Sequence, residues 1–294
     1  MDLTGVFIPL VTPFDADGAV ATDALTRLAH DVLDDGAAGL VALGTTGEPE
    51  SLSTGERSVV VDTVARVCGQ RGAPLIVGAH NVRAVRALKN RPAVTAALAV
   101  VPPYVRPGEE GVVAHFEALA QASPVPLVFY HVPYRTAQEL SPATLGRIAE
   151  LPNVAGMKLS AGRIDAGTVE FMANRPAGFS VLCGDDAILS PLLALGADGG
   201  ILASAHLATS GFVHLVKSWR ADDVGAARRM AAPLAALSAA VFAEPNPTVL
   251  KGALHACRRI PTPTVRLPLL PAANESVHFA MTRLAEVAPD GSAR

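Results

Sequence analysis

The 294-residue sequence lacks any apolar run long enough to cross a membrane. On its C-terminal side the longest charge-free apolar stretch, Ala231–Ala243, is shorter than the roughly 20 residues that a spanning helix needs. The N-terminal residues include Asp2, Pro9 and Pro13, so they do not resemble a secretory signal peptide. Because the mean hydropathy is nevertheless +0.34, we expect a soluble protein whose apolar excess fills a large core.

Motifs for several classes of chemistry are also absent. Only three cysteines occur (Cys68, Cys183 and Cys257), without a CxxC spacing, so we expect reduced thiols and a cytoplasmic protein. The eight histidines form no HExxH motif, and we predict no metal site. Without GxGxxG, GxxxxGK[ST] or GxSxG motifs, the sequence gives no support for dinucleotide cofactors, nucleoside triphosphates or hydrolase chemistry. A net charge of −3 with no basic run predicts neither a nucleic-acid partner nor a membrane partner.

Short runs rich in Val, Ile, Leu and Gly alternate with longer amphipathic stretches along the whole chain. The runs lack alternation of polar and apolar residues, which is typical of strands buried on both faces of a parallel sheet. Eight strand–helix units in order predict an α/β fold, a (β/α)8 TIM barrel, with an open doubly wound sheet as the alternative. The predicted strands are Gly5–Phe14, Gly39–Gly44, Pro74–Ala79, Ala96–Val101, Pro126–Val132, Val154–Ser160, Ser180–Asp185 and Gly199–Ser204.

Helix signals lie between these runs. Thr22–Leu33 repeats apolar residues at helical spacing, and Ser53 with the glutamate three residues later predicts a capping box. Ser141, followed by a proline, predicts another helix start. The third helix, Val82–Leu88, is about two turns shorter than expected in a barrel of this kind.

We predict two parts of the chain. Residues 1–221 form the barrel that carries the active site, and residues 222–294 form a C-terminal helical appendage packed on the barrel. The helices predicted in the appendage are Ala221–Phe242, Pro247–Cys257 and Glu275–Val287.

In a barrel the active site lies at the carboxyl ends of the strands, and that rule selects candidate residues. The second strand ends in Gly44–Glu48, a turn whose two threonine hydroxyls and backbone N–H groups suit a carboxylate or phosphate. Tyr104 follows the fourth strand and Tyr130 ends the fifth, with simple packing as the alternative for each. At the end of the seventh strand, Asp185 and Asp186 are predicted to cap a helix rather than to bind a cation.

Lysine is scarce, with only Lys89, Lys158, Lys217 and Lys251 in the chain. Lys158 lies inside Val154–Leu159, a segment predicted to be buried. Burial of an unpaired ammonium costs several kcal/mol and depresses its pKa, which leaves a nucleophilic amine able to form Schiff bases with carbonyl compounds. An ion pair across the barrel or a position at the strand end is the alternative. The other three lysines are predicted to lie on helices, so Lys158 is the candidate nucleophile.

Taken together in order and spacing, these motifs resemble the dihydrodipicolinate synthase/N-acetylneuraminate lyase family of Schiff-base-forming pyruvate aldolases. The resemblance runs over nearly the whole length, from Val11-Thr12-Pro13-Phe14 to Arg266-Leu267-Pro268. The specific pieces are Gly44-Thr45-Thr46-Gly47-Glu48, Tyr130-x-x-Pro133-x-Arg135-Thr136, Gly156-Met157-Lys158 and Gly184-Asp185-Asp186, while Pro245-Asn246-Pro247 belongs to the C-terminal extent of the resemblance.

The resemblance implies a role for each matching residue. Lys158 would attack the ketone of pyruvate and hold it as an imine and then an enamine, while Tyr130 would carry protons. Thr45 would link Tyr130 to Tyr104, which would reach in from a neighbouring subunit, so a homodimer or homotetramer is expected. The implied substrate-binding residues are Thr46, Arg135, Gly184 and Ile201. No cofactor is implied.

Arg135 bears on the second substrate. In the synthase branch an arginine at this spacing holds the carboxylate of aspartate semialdehyde through two parallel hydrogen bonds. The resemblance therefore implies condensation of pyruvate with L-aspartate 4-semialdehyde, on the route to diaminopimelate and lysine. One alternative is a related lyase acting on 2-keto-3-deoxy sugar acids or other 4-hydroxy-2-oxo acids. Another is a paralogue that binds keto acids without turnover.

Some positions depart from the family pattern. His131 stands where asparagine is common, Tyr134 where a small residue is common, and Leu159 where a polar residue is common. We expect these departures, with the short third helix, to affect the acceptor half of the site and to spare the pyruvate half. From the residues after the strand-two turn and from Pro103 before Tyr104, we expect weak or no inhibition by lysine.

Overall fold

A computed structural model of the chain describes residues 3–287. Its eight strands are parallel and close into a barrel in chain order, with the last strand paired to the first. The predicted (β/α)8 barrel is therefore confirmed, and the open doubly wound sheet is wrong. The strands are β1 Gly5–Pro9, β2 Gly39–Ala42, β3 Leu75–Gly78, β4 Val94–Val100, β5 Leu127–His131, β6 Val154–Leu159, β7 Ser180–Cys183 and β8 Gly199–Ile201.

Every predicted strand is present, but each of the eight strands ends before its apolar run does. The first run continues to Phe14, whereas β1 ends at Pro9. Leu10, Val11 and Phe14 are at most 2% exposed, so they are apolar because they are buried in the loop that follows the strand. Only β4 begins earlier than predicted, at Val94.

Side chains of the strands fill two apolar layers. In β5, Val128 and Tyr130 face the barrel interior, where they pack with residues of other strands such as Ile76 and Leu182. Phe129 points the opposite way, into the layer between the strands and the helices. This burial on both faces explains why the strands show no polar–apolar alternation.

Twelve α-helices surround the barrel within the described residues, and none of them is both long enough and apolar enough to cross a lipid bilayer. The predicted helix starts at Ser53 and Ser141 are confirmed, since each side chain caps its helix. The short third helix is also confirmed. The helices are α1 Thr22–Asp34, α2 Thr54–Arg71, α3 Val82–Ala87, α4 Gly108–Ala122, α5 Pro133–Thr136, α6 Pro142–Ala149, α7 Ala166–Asn174, α8 Leu189–Ala194, α9 Thr209–Arg220, α10 Val224–Val241, α11 Thr248–Ala256 and α12 Asn274–Val287.

The last three helices, α10–α12, lie where the C-terminal helices are predicted. Helix α10 packs on α9, α12 and the turn after β7. Its buried Leu234, Leu237 and Val241 join the apolar layer outside the strands, as do Val249 and Leu250 of α11. The C-terminal segment therefore packs directly on the barrel, and its connection between α10 and α11 lies at the barrel mouth. The last residues of the predicted appendage, 288–294, lie outside the described part of the chain.

Candidate active site at the mouth of the barrel

A cavity opens at the carboxyl ends of the strands, where barrel enzymes hold their substrates. It receives residues from the ends of β2, β5, β6, β7 and β8 and from the connection between α10 and α11. Of the predicted site residues, all but Tyr104 line it. The lining residues are Thr45, Thr46, Tyr130, Tyr134, Arg135, Lys158, Gly184, Asp186, Ile201, Ala203, Phe242 and Asn246.

Lys158 and Tyr130 occupy paired positions on β6 and β5. The Nζ atom of Lys158 lies 4.4 Å from the centre of the Tyr130 ring, and the lysine is 7% exposed. No carboxylate within residues 3–287 forms an ion pair with Lys158, so the ion-pair alternative does not describe this lysine. A nearly buried amine beside a phenol is an arrangement that can supply a nucleophile and a proton carrier at one point of the site.

Gly184 lies directly against the Lys158 side chain at the end of β7. A Cβ atom at this position would stand 2.5 Å from Cε of Lys158 and closer still to Oγ of Ser160. Both distances are far below van der Waals contact, so only glycine fits at this position with the Lys158 side chain in its present conformation. Gly184 thus has a steric reason to be part of the site.

The two threonines lie in a 3₁₀ turn, Thr45–Gly47, that follows β2. Oγ1 of Thr46 accepts a hydrogen bond of 2.9 Å from Nδ2 of Asn246, and the carbonyl of Gly47 accepts one of 2.7 Å from Oγ1 of Thr12. Glu48 ends the turn with a φ of +52°, in the left-handed region that costs a residue with a side chain free energy. Hydrogen bonds from Thr12 and Asn246 therefore tie this turn to the loop after β1 and to the C-terminal segment.

Arg135 lies on α5, a single turn that follows β5, and lines the cavity. Its Nε donates a hydrogen bond of 3.3 Å to the hydroxyl of Tyr134, and no carboxylate within residues 3–287 pairs with its guanidinium. The alternative of a surface ion pair is therefore not what the structure has. A guanidinium at the mouth of a cavity, without an anionic partner in the described chain, can bind a carboxylate from solution.

Tyr104 is the one predicted site residue that lies apart from the cavity. It follows β4 with a φ of +70° and is 95% exposed, and its neighbour Val105 is 72% exposed. The structure thus presents the Tyr104 ring outward from its own chain.

Asp186 lines the cavity but was not predicted to belong to the site. Its Oδ2 accepts a 2.5 Å hydrogen bond from the backbone N–H of Ser204, while its Oδ1 has no partner within the described residues. Asp185 accepts instead from the N–H of Gly162 at 2.7 Å. Asp185 thus stands at the N-cap position of a 3₁₀ turn, Asp186–Ile188, but the predicted capping by an aspartate side chain is wrong, because neither carboxylate accepts from an N–H of that turn. Burial raises the pKa of Asp186 to about 6, which the Ser204 hydrogen bond and the nearby charge of Lys158 partly oppose.

Lys251 corrects the expectation that Lys158 is the one lysine in a buried setting. It lies on α11 as predicted, yet it is 0% exposed. Its Nζ donates to Oε1 of Glu48 at 2.7 Å and lies 4.1 Å from the centre of the Phe14 ring. Burial lowers the pKa of Lys251 to about 8, an effect that Glu48 opposes. Burial alone therefore does not distinguish the two lysines. They differ in their partners, since Lys251 is paired with Glu48 whereas Lys158 has no carboxylate partner among residues 3–287.

Two of the departures from the family pattern lie outside the site. His131 and Leu159 are paired neighbours on β5 and β6, and they line a separate cavity between the strands and helices α6 and α7. Burial lowers the pKa of His131 to about 4, so the ring is neutral at pH 7. Of the three departing residues, Tyr134 alone lines the candidate active site, and an effect of His131 or Leu159 on the acceptor half stays a prediction.

Comparison with known proteins shows the family of the chain. The model of the dihydrodipicolinate synthetase family matches residues 2–286. The chain belongs to this family. A 4-hydroxy-tetrahydrodipicolinate synthase of Neisseria meningitidis serogroup C is 35% identical over 274 residues, which cover 92% of this chain and 93% of the relative.

Solved structures of the family superimpose on nearly the whole molecule. The chloride-inhibited dihydrodipicolinate synthase of Acinetobacter baumannii, complexed with pyruvate, matches with a TM-score of 0.91 and 32% identity, covering 97% of this chain and 99% of that one. A monomeric dihydrodipicolinate synthase variant matches with a TM-score of 0.91 and 30% identity, covering 97% and 96%.

Proposed function

We propose that the protein is a 4-hydroxy-tetrahydrodipicolinate synthase, which condenses pyruvate with L-aspartate 4-semialdehyde. The observation that carries this proposal is the pair of Lys158 and Tyr130, side by side at the barrel mouth, with no anion paired to the lysine within residues 3–287. Membership of the family and the Neisseria relative support the same activity.

The chemistry begins at Lys158. Its neutral amine attacks the ketone carbon of pyruvate, and loss of one water molecule gives an imine. Tyr130 donates the proton that the departing hydroxyl needs and then accepts protons in the following steps. Removal of a proton from the methyl group of the imine gives an enamine, whose carbon attacks the aldehyde carbon of the second substrate. The amine of that substrate then displaces Lys158 and closes the ring.

The two carboxylates of the substrates would bind at different places. Thr45 and Thr46 offer two hydroxyls and the N–H groups of their turn to the carboxylate of pyruvate. Arg135, without an anionic partner in the described chain, suits the carboxylate of the aldehyde, and Tyr134 beside it narrows that end of the cavity. Gly184 and Ile201 would border the bound pyruvate with backbone groups.

We also propose that the enzyme acts as a homo-oligomer, a dimer or tetramer, in the cytoplasm. The exposed Tyr104 supports assembly, because its ring does not line the cavity of its own chain and is accessible to another copy of the chain. The free thiols of Cys68 and Cys183, both buried, support a reducing compartment.

The test is incubation with pyruvate and borohydride, followed by intact-mass spectrometry and peptide mapping. We expect one reduced pyruvate adduct on Lys158, lost in Lys158→Ala and kept in Lys217→Ala, which removes an exposed lysine of α9. Aspartate semialdehyde should lower the adduct yield while product forms. Arg135→Ala should leave adduct formation with pyruvate alone unchanged and should weaken the effect of the aldehyde. An adduct indifferent to the aldehyde would favour a sugar-acid lyase, and no adduct would favour a keto-acid-binding protein without turnover.

A further inference from the structure

The turn that carries Thr45 and Thr46 is held from the opposite end of the sequence. Three hydrogen bonds reach it from the C-terminal segment: Asn246 to Thr46, and Lys251 and the backbone N–H of Arg266 to the two carboxylate oxygens of Glu48. Their lengths are 2.9, 2.7 and 2.8 Å, respectively. Such lengths are those of well-formed hydrogen bonds.

The Glu48–Lys251 pair lies in a setting where loss of either partner has large consequences. The side chain of Glu48 is 2% exposed and that of Lys251 is 0% exposed, so solvent screens neither charge. The ring of Phe14 lies 4.1 Å from Lys251 and 4.3 Å from the guanidinium of Arg266, so it contacts both cations. A buried ion pair contributes little net stability compared with apolar side chains of similar size. Stability alone therefore does not explain this pair, whereas a role in positioning neighbouring residues would.

Glu48 is the residue through which the pair acts on the site. It directly follows the Thr45–Gly47 turn, and its left-handed backbone is strained for a residue with a side chain. Lys251 and the backbone N–H of Arg266 hold its carboxylate, and Glu48 is joined through Gly47 to the two threonines. Lys251 itself does not line the cavity.

We propose that Lys251 is a positioning residue that acts through Glu48 to hold Thr45 and Thr46 in place for the carboxylate of pyruvate. This inference rests on the proposed function, because it assumes that pyruvate binds at the turn. It predicts a specific loss of pyruvate affinity, whereas a purely structural pair would affect only stability.

The experiment measures the yield of the borohydride-trapped adduct against pyruvate concentration in four proteins. These are the wild type, Lys251→Met, the double variant Glu48→Gln with Lys251→Met, and Lys217→Met as the control on an exposed helix position. We expect the half-saturating pyruvate concentration to rise at least about tenfold in both variants at position 251 and to stay unchanged in the control. The adduct should still map to Lys158, and the half-saturating concentration of aspartate semialdehyde should stay within about twofold.

The double variant keeps the test decisive if Lys251→Met alone, with an unpaired buried carboxylate, does not fold. It has no buried charge at either position, and the amide oxygen introduced by Glu48→Gln still accepts the hydrogen bond from the backbone N–H of Arg266. A folded double variant with the wild-type half-saturating pyruvate concentration would overturn the role of Lys251. A wild type that forms no adduct would instead overturn the proposed function.

Discussion

At the scale of single residues, two buried lysines differ in what surrounds them. Lys251 faces a carboxylate and an aromatic ring, so its charge is compensated, whereas Lys158 faces a phenol and an open cavity. The sequence could predict Lys158 because a lysine inside an apolar strand is an exception that needs a reason. It could not predict Lys251, because helical periodicity does not show that Glu48, 203 residues earlier, lies opposite.

Gly184 offers a test of how tightly Lys158 is positioned. A methyl group at this position would overlap Cε of Lys158 and Oγ of Ser160, so Gly184→Ala should displace the amine. We expect the rate of pyruvate adduct formation to fall about 100-fold, since displacement of a reacting group by about 1 Å has effects of that size. Single-turnover trapping with borohydride measures this rate. Gly146→Ala on α6, where a Cβ meets nothing within 4 Å, is the matched control, and an equal rate in both variants would contradict the steric argument.

Asp186 makes stability depend on pH in a defined direction. Burial raises its folded pKa from 3.8 to about 6, so the folded state keeps a proton that the unfolded chain releases. Its contribution to stability is therefore fully present below pH 3.8 and is lost as the pH rises through 6. Asp186→Asn has no carboxyl to titrate, so its stability lacks this pH dependence. The free energy of unfolding of the variant minus that of the wild type should therefore rise by up to about 3 kcal/mol from pH 4 to pH 8. Urea denaturation at both pH values measures the difference, and a difference independent of pH would show that the carboxyl is not buried in this way.

At the scale of elements, the apolar runs predicted every strand because a strand buried on both faces needs a continuous run. They did not predict where each strand ends, since buried loop residues such as Val11 and Phe14 look the same in sequence. The single turn α5, which presents Arg135, was likewise not predicted as a helix, because one turn has no periodicity to detect.

Helix α2 gives a prediction at this scale. Oγ of Ser53 accepts from the N–H of Glu56, and the Glu56 carboxylate accepts from the N–H of Ser53 while it also binds Arg266. The hydrogen bond from Arg266 is the main reason that the pKa of Glu56 lies near 2. Ser53→Ala should lower the free energy of unfolding by about 1 kcal/mol, because one helix N–H loses its partner. Urea denaturation followed by circular dichroism checks this, with Thr54→Ala in the same turn as a near-neutral control.

At the scale of the whole molecule, the count of eight strand–helix units was enough to predict a closed barrel. The long-range ties across the barrel mouth were not predictable, since Asn246 and Thr46 are 200 residues apart and no spacing rule connects them. The C-terminal helices therefore contribute to the site through contacts that only the folded molecule reveals.

Tyr104 connects the single chain to its proposed assembly. Its ring is 95% exposed just after β4, on the same side of the barrel as the cavity, yet it does not line that cavity, and its backbone has a φ of +70°. If two copies exchange this residue about a twofold axis, each active site contains Lys158 of one chain and Tyr104 of the other. Sites of that kind can be repaired by mixing two inactive chains.

Mixed oligomers of Lys158→Ala and Tyr104→Phe should therefore regain activity that neither variant has alone. In a mixed pair one site lacks both groups, while the other combines an intact Lys158 with an intact Tyr104. Random pairing of equal amounts makes about half of the dimers mixed, each with one working site of two, so about a quarter of the wild-type activity should return. The measurement is turnover after the two variants are unfolded and refolded together, compared with each refolded alone. Activity that equals the average of the separate variants would mean that Tyr104 does not serve the site of another copy.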